Sequence, residues 1–256
     1  MAKNTRRKVP HRGRRKKKGF ATWSMGKKIG AILGGTFLTV ALIGGVIVAS
    51  KMNKLETVSL DTDKLNISDE VQHEEGYTNV ALFGLDSREN DLGKGNRSDT
   101  IMIASLNNDT KEVKLVSIYR DTLLQLDDGS YNKANAAYSF GGPEGAISLI
   151  NKNLDMNIEK YVTVNFNALV DVIDAVGGLD IDLTHDEVVH MNNYCVETSK
   201  VTGKDYDKIE PEVEGTYHLN GVQAVSYARI RYTAGGDFKR AERQRLVLQK
   251  IADKAQ

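Results

Sequence analysis

Apolar and polar positions fall into three regimes along the chain. Residues 1–28 carry no apolar period. From Ile29 to Ser50 run 22 residues without a charge, IGAILGGTFLTVALIGGVIVAS. As a helix this stretch spans roughly 33 Å at 1.5 Å per residue, close to the ~30 Å hydrocarbon core of a bilayer. No polar face interrupts it, so one transmembrane signal-anchor helix is expected at 29–50. It is longer than the apolar core of a cleaved signal peptide. Residues 51–75 are polar without a clear period and read as a juxtamembrane stalk or the edge of a folded domain.

After Gly76 the pattern becomes short and mixed. Val80–Leu85 is an apolar run of buried-strand type. Thr100–Leu106 and Val113–Ile118 flank the turn-rich Asn107–Thr110 and predict a hairpin. Asn135–Phe140 and Pro143–Leu154 predict helix, with Pro at a first helical position. Tyr161–Phe166 alternates as a strand. Leu169, Val172, Ile173 and Val176 have helical spacing, ended by Gly177-Gly178. Leu179–Leu183 predicts another strand, and residues 184–215 a long irregular excursion. Asn220 is placed to cap a short helix over 221–228. A last helix begins at Asp237 with Leu246, Leu248 and Ile251 as its apolar contacts. Strands alternating with helices predict an α/β fold, one domain over 76–256 with a mostly central sheet. About 180 residues suffice for a real core.

Charge sharpens the division. The formal net charge is +1, from 35 Lys+Arg and 34 Asp+Glu. Residues 1–55 hold 14 basic and no acidic residues, which leaves a net of −13 after them. Twelve of the basic residues precede the apolar span. The positive-inside rule therefore puts residues 1–28 in the cytoplasm and the domain outside the cell membrane. The run RRKVPHRGRRKKK at 6–18 reads as charge held near lipid headgroups, and no nucleic-acid partner is expected. With a single cysteine, Cys195, an intrachain disulfide is excluded. The sequence has no GxSxG elbow, Walker loop or GxGxxG.

Chemistry gathers in four clusters at predicted strand and helix ends, where α/β folds place ligand sites. They are Gly84–Arg88, Asn96–Thr100, Tyr119–Asp121, and Tyr227–Tyr232 with Asp237–Arg240 and Gln244. Asp86 and Asp99 are carboxylates of the kind that bind Mg²⁺ beside substrate phosphates. Arg229 and Arg231 share a face in an extended segment, and Arg240 and Gln244 share a helix face. Guanidinium groups grip phosphate oxygens bidentately. The plainer alternative pairs Arg229 and Arg231 with Asp182, Asp186 or Glu187.

These residues resemble the LytR-CpsA-Psr family of cell-wall attachment transferases. The ordered motifs are NVALFGLDSR at 79–88, NRSDTIMIASL at 96–106, SIYRD at 117–121 and KANAAYSFGG at 133–142. YVTVNFNALVDVIDAVGGLDIDL at 161–183, HLNGVQAVSYARIRY at 218–232 and DFKRAERQ at 237–244 follow.

The resemblance implies a three-layer domain with a central mixed sheet behind one transmembrane helix. It also implies a Mg²⁺-assisted phosphotransferase. Such an enzyme moves an anionic glycopolymer (teichoic acid, capsule or other wall polysaccharide) from a polyprenyl-pyrophosphate carrier to peptidoglycan. It assigns Asp86 and Asp99 to Mg²⁺. Arg88, Arg97, Arg120, Arg229, Arg231, Arg240 and Gln244 go to the pyrophosphate. Asp99, Arg120, Asp121, Arg229 and Arg231 go to catalysis, with Asp99 or Asp121 as proton acceptor. Tyr119 stands where the family usually has Pro, and a local loop change is expected there. Family members continue past the last helix, which leaves a C-terminal truncation open. A membrane-anchored transcriptional or envelope regulator and a lipid-pyrophosphate hydrolase are the rival readings.

Overall fold

The computed structural model describes residues 57–255, apart from 69, 72–75 and 88–91. The expected cytoplasmic tail and the span at 29–50 lie outside the described residues, as does Arg88. Among the described residues no helix is long and apolar enough to cross a membrane. The elements below belong to one compact unit that begins at Leu60. It starts before Gly76 because Leu65 is fully buried, with Leu60 and Ile67 packed on the same core. Part of the expected stalk is thus the edge of the folded domain.

The strands are β1 (Tyr77–Leu85), β2 (Ser98–Asn107), β3 (Val113–Ile118), β4 (Leu123–Gln125), β5 (Tyr131–Lys133), β6 (Lys160–Val164), β7 (Leu179–Leu183) and β8 (Gly215–Leu219). The α-helices are α1 (Ala134–Leu154), α2 (Phe166–Ala175), α3 (His185–Thr202), α4 (Gly221–Arg229) and α5 (Gly236–Ala255). The main sheet has the order β3-β2-β1-β6. Its first three strands are antiparallel neighbours, and β6 joins β1 in parallel. β4 with β5 and β7 with β8 form separate antiparallel ribbons.

Side chains alternate across this sheet, so one register defines two faces. Ala81, Phe83 and Leu85 point one way with Ile101 and Ile103, and all are buried against α1. The Phe83 ring meets Tyr138 of α1 edge-on at 5.2 Å. Leu82 and Gly84 face the other way, opposite Thr100 and Met102 on β2 and Val162 and Val164 on β6. A second apolar core lies among α2, α3, α4, α5 and the β7–β8 ribbon.

Local signals explain the helix boundaries. Gly142, with φ 66° and ψ −154°, kinks α1 just before Pro143. Only glycine occupies that backbone region comfortably, so the two helical segments predicted there join at a kink. Asn220 and Gln223 form a reciprocal capping box at α4. α4 crosses α2 closely: a Cβ on Gly221 would lie 2.4 Å from the Val170 carbonyl oxygen.

The predicted irregular stretch at 184–215 is corrected by α3. Its composition is polar, and its buried side is the stripe Val188, Met191, Asn192, Cys195 and Thr198. Thr184 and Glu187 make the capping box that starts it.

Candidate functional site

A cavity of about 430 Å³ lies between the second face of the sheet and helices α2, α4 and α5. Its floor is Leu82, Met102, Val162 and Val164, and its walls include Phe166, Leu169, Val172, Leu248 and Ile251. One end is polar, with Asp86, Asp99, Arg229, Arg231, Arg240 and Gln244 in the lining. Two of the four sequence clusters deliver their carboxylates here because β1 and β2 pair. A register shift after Gly84 sets Leu85 opposite Ser98. Such bulges re-aim side chains at sheet ends, and Asp86 and Asp99 emerge next to this one.

An ionic chain ties the polar end together. Arg120, following β3, donates from Nη1 to Asp99 Oδ2 at 2.8 Å. Its Nε lies 3.3 Å from Asp121 Oδ2. Burial disfavours the Arg120 charge, but Asp99, Asp121 and Asp237 outweigh it and raise the group above its usual range. Arg231 lies 3.6 Å from Asp99 and 3.5 Å from Asp237. Asp237 in turn meets Arg240 at 3.3 Å.

Arg240 is only 7% exposed, and its Nε has no hydrogen-bond partner among the described residues. A buried donor left unmet costs about 1–3 kcal/mol. A phosphate oxygen at this end of the cavity is the kind of acceptor that would satisfy it.

Arg229 ends α4 rather than sitting in an extended segment. Its Nη2 donates to Glu197 Oε2 at 2.9 Å and its Nη1 to Thr198 Oγ1 at 3.0 Å. Its guanidinium lies over the Phe166 ring at 4.4 Å. The carboxylates expected as alternative partners, Asp182, Asp186 and Glu187, pair with neither Arg229 nor Arg231. Asp182 accepts from Thr216, and Glu187 belongs to Arg243.

Asp121 does not line the cavity. Lys133 donates to it at 2.6 Å and, against the opposing effect of burial, holds its carboxyl below the usual range. Arg97 is exposed in the segment before β2 and makes no ion pair among the described residues. Tyr119 does not disturb the loop chemistry, because Arg120 still reaches Asp99.

Two groups escaped the sequence reading. Asp237 was grouped with the fourth cluster but given no role, although it bridges Arg231 and Arg240. Its position three residues before Arg240 on a helix was the available signal. The other is Arg243, 4% exposed. Its Nε donates to Glu187 at 2.8 Å, its Nη1 to the Ile230 carbonyl at 3.1 Å and its Nη2 to Thr233 Oγ1 at 2.6 Å. It pins the peptide between Arg229 and Arg231. Burial opposes the Glu187 charge, but bonds from Thr184 and Arg243 prevail and keep its carboxyl low. Burial pushes the Cys195 thiol up to about 11, which removes its nucleophilic form at neutral pH.

A sheet floor, an apolar trough and a guanidinium-lined mouth define a class of α/β domain suited to an amphiphile with an anionic head. The chain belongs to the LytR_cpsA_psr family, whose model matches residues 43–256. It is 39% identical over 166 residues to the polyisoprenyl-teichoic acid–peptidoglycan teichoic acid transferase TagV of Bacillus subtilis, covering 63% of this chain and 40% of TagV. With the corresponding transferase TagU of Enterococcus faecalis it shares 32% identity over 240 residues, 90% of this chain and 72% of TagU. The solved structure of the LytR-CPS2A-psr family protein YwtF (TagT) with bound octaprenyl pyrophosphate lipid matches with a TM-score of 0.58. The identity is 26%, and 78% of this chain and 74% of that one are covered.

Proposed function

We propose that this protein transfers an anionic glycopolymer from a polyprenyl-pyrophosphate carrier to peptidoglycan through a phosphodiester. The observation that carries the reading is one cavity with two chemistries. An apolar trough suits a prenyl chain, and its mouth holds Arg229, Arg231, Arg240 and Gln244 for the pyrophosphate. The relatives named as teichoic acid transferases support the same reading.

In this mechanism a peptidoglycan sugar hydroxyl attacks the polymer-side phosphorus. The bond from that phosphorus to the bridging oxygen breaks, and polyprenyl phosphate leaves. Arg229, Arg231 and Arg240 stabilise the charge growing on the departing phosphate. Asp99 lines the mouth and is the better placed carboxylate to take the hydroxyl proton. Asp121 holds Arg120 from outside. Arg97, exposed before β2, is left as an outer contact for the polymer phosphate.

Asp86 and Asp99 suit Mg²⁺, which accepts one or two carboxylates with waters and phosphate oxygens. Among the described residues there is no group of three or more His, Cys, Asp or Glu that could cage a metal. The remaining ligands would therefore come from water and substrate. When bound, the ion neutralises charge on phosphate oxygens. The span at 29–50 keeps the site at the outer leaflet of the cell membrane, where a lipid-linked substrate is accessible.

The test is polymer transfer to peptidoglycan by the purified full chain, with lipid-linked polymer as donor. Arg229→Ala and Arg231→Ala are each expected to lower transfer about 10²–10³-fold. Full activity in both variants overturns the reading. Donor cleavage without acceptor, and no polymer on peptidoglycan, would assign a hydrolase instead.

A further inference from the structure

We infer that the aromatic corner made by Tyr119 and Phe238 is a binding subsite for a pyranose ring of the acceptor glycan, at the outer rim of the mouth. The inference rests on the transferase reading above. The two rings meet edge to face, with centroids 4.7 Å apart and planes at 69°. Tyr119 comes from the segment after β3 and Phe238 from the first turn of α5, so the contact joins two distant parts of the chain.

Stacking has not buried either ring: Tyr119 is 40% exposed and Phe238 63%. An edge-to-face pair holds each ring in place while leaving apolar surface in water. That suits a ligand more than a core.

Position supplies the rest. Tyr119 precedes Arg120, which grips Asp99, and Phe238 follows Asp237, which bridges Arg231 and Arg240. The corner therefore adjoins two members of the ionic network, one on the segment after β3 and one on α5. Neither ring lines the apolar trough.

In phosphoryl transfer the attacking and leaving oxygens lie roughly in line. With the prenyl phosphate leaving toward the trough, the nucleophile arrives from the solvent side. That is where an exposed rim belongs to the acceptor. Sugar rings present C–H faces that suit the negative face of an aromatic ring. Beyond Arg120 lies the exposed pair Asp121–Lys133, at 2.6 Å, an acceptor and a donor for hydroxyl groups.

The experiment uses the full chain in detergent, with lipid-linked polymer as donor and soluble peptidoglycan glycan fragments as acceptor. Tyr119→Ala with Phe238→Ala should raise the acceptor KM about tenfold. Donor KM should stay unchanged, and Tyr119→Phe should keep the parental acceptor KM because the ring is retained. Saturation-transfer NMR should show protein-to-sugar transfer with the glycan fragment alone, lost in the double variant.

An unchanged acceptor KM overturns the inference, as does an equal rise in both KM values. Loss of binding to anionic vesicles with an intact acceptor KM assigns the rings to the membrane and overturns it too. If the parent chain transfers no polymer yet shows ring-dependent sugar binding, the subsite stands and the transferase reading falls. If it transfers polymer but shows no ring-dependent binding, the subsite alone falls.

Discussion

The two faces of the central sheet are built from the same strands and end in opposite results. On one face Ala81, Phe83, Leu85, Ile101 and Ile103 close against α1. On the other, Leu82, Met102, Val162 and Val164 face helices that stand off and leave about 430 Å³ between them. Val162 remains 50% exposed. A side chain one position along the strand thus moves from structural packing to the lining of a cavity. Apolarity alone does not reveal which face will close. The difference is set by what packs opposite: a single helix on the first face, and a separate core that spans α2 to α5 on the second.

The largest expected effect tests that contrast directly. Phe83→Ala should destabilise the domain by about 3–5 kcal/mol in denaturant unfolding. Val162→Ala should cost about 0.5 kcal/mol and show itself as weaker lipid retention. Equal destabilisation by both would mean the second face is packed.

Arg243→Met comes next, because it leaves Glu187, in the first turn of α3, without its cation. A loss of about 3–5 kcal/mol is expected from such a buried pair, with polymer transfer falling further than the folded fraction explains. Arg243→Lys keeps the charge but not the fork that reaches three partners, and should recover stability more than transfer.

Leu248→Trp fills the trough from α5. Ordinary overpacking costs about 1–3 kcal/mol; here open space should hold the loss below about 1 kcal/mol. Lipid carried by the purified chain, read by mass spectrometry, should nonetheless disappear.

The smallest effect separates the two cores by acid. Glu187 is held below the ordinary glutamate value of 4.5 in the folded state. Its contribution is complete above about that pH and is lost as pH falls through the lowered value. The melting-temperature gap between the parent and Glu187→Gln should therefore narrow in acid, whereas the gap for Phe83→Ala should stay constant.

Much of this was legible beforehand, for identifiable reasons. β1, β2 and β3 are apolar runs bounded by turns, and Asn220 announced α4. Of the residues read as one site, Asp86, Asp99, Arg229, Arg231, Arg240 and Gln244 line one cavity, whereas Arg97, Arg120 and Asp121 do not. The cavity itself was hidden, because Leu248 and Ile251 have the spacing of core positions whether or not a neighbour arrives. α3 was hidden by its polar surface, although Thr184 and Glu187 carried the spacing of its cap. The Arg243–Glu187 pair joins residues 56 apart, and no local pattern signals such a partner.

Arg231 carries one further consequence. It is divided between Asp99 and Asp237, at 3.6 and 3.5 Å, and holds neither closely. An incoming anion therefore meets no isolated positive charge; it has to win a competition against resident carboxylates. Monovalent anions contest such a position poorly, whereas a pyrophosphate can engage several guanidinium groups in one step. Under the proposed function such a mouth would favour ligands of higher valence, and Arg231, held at 3.5 and 3.6 Å, would be the first to exchange partners.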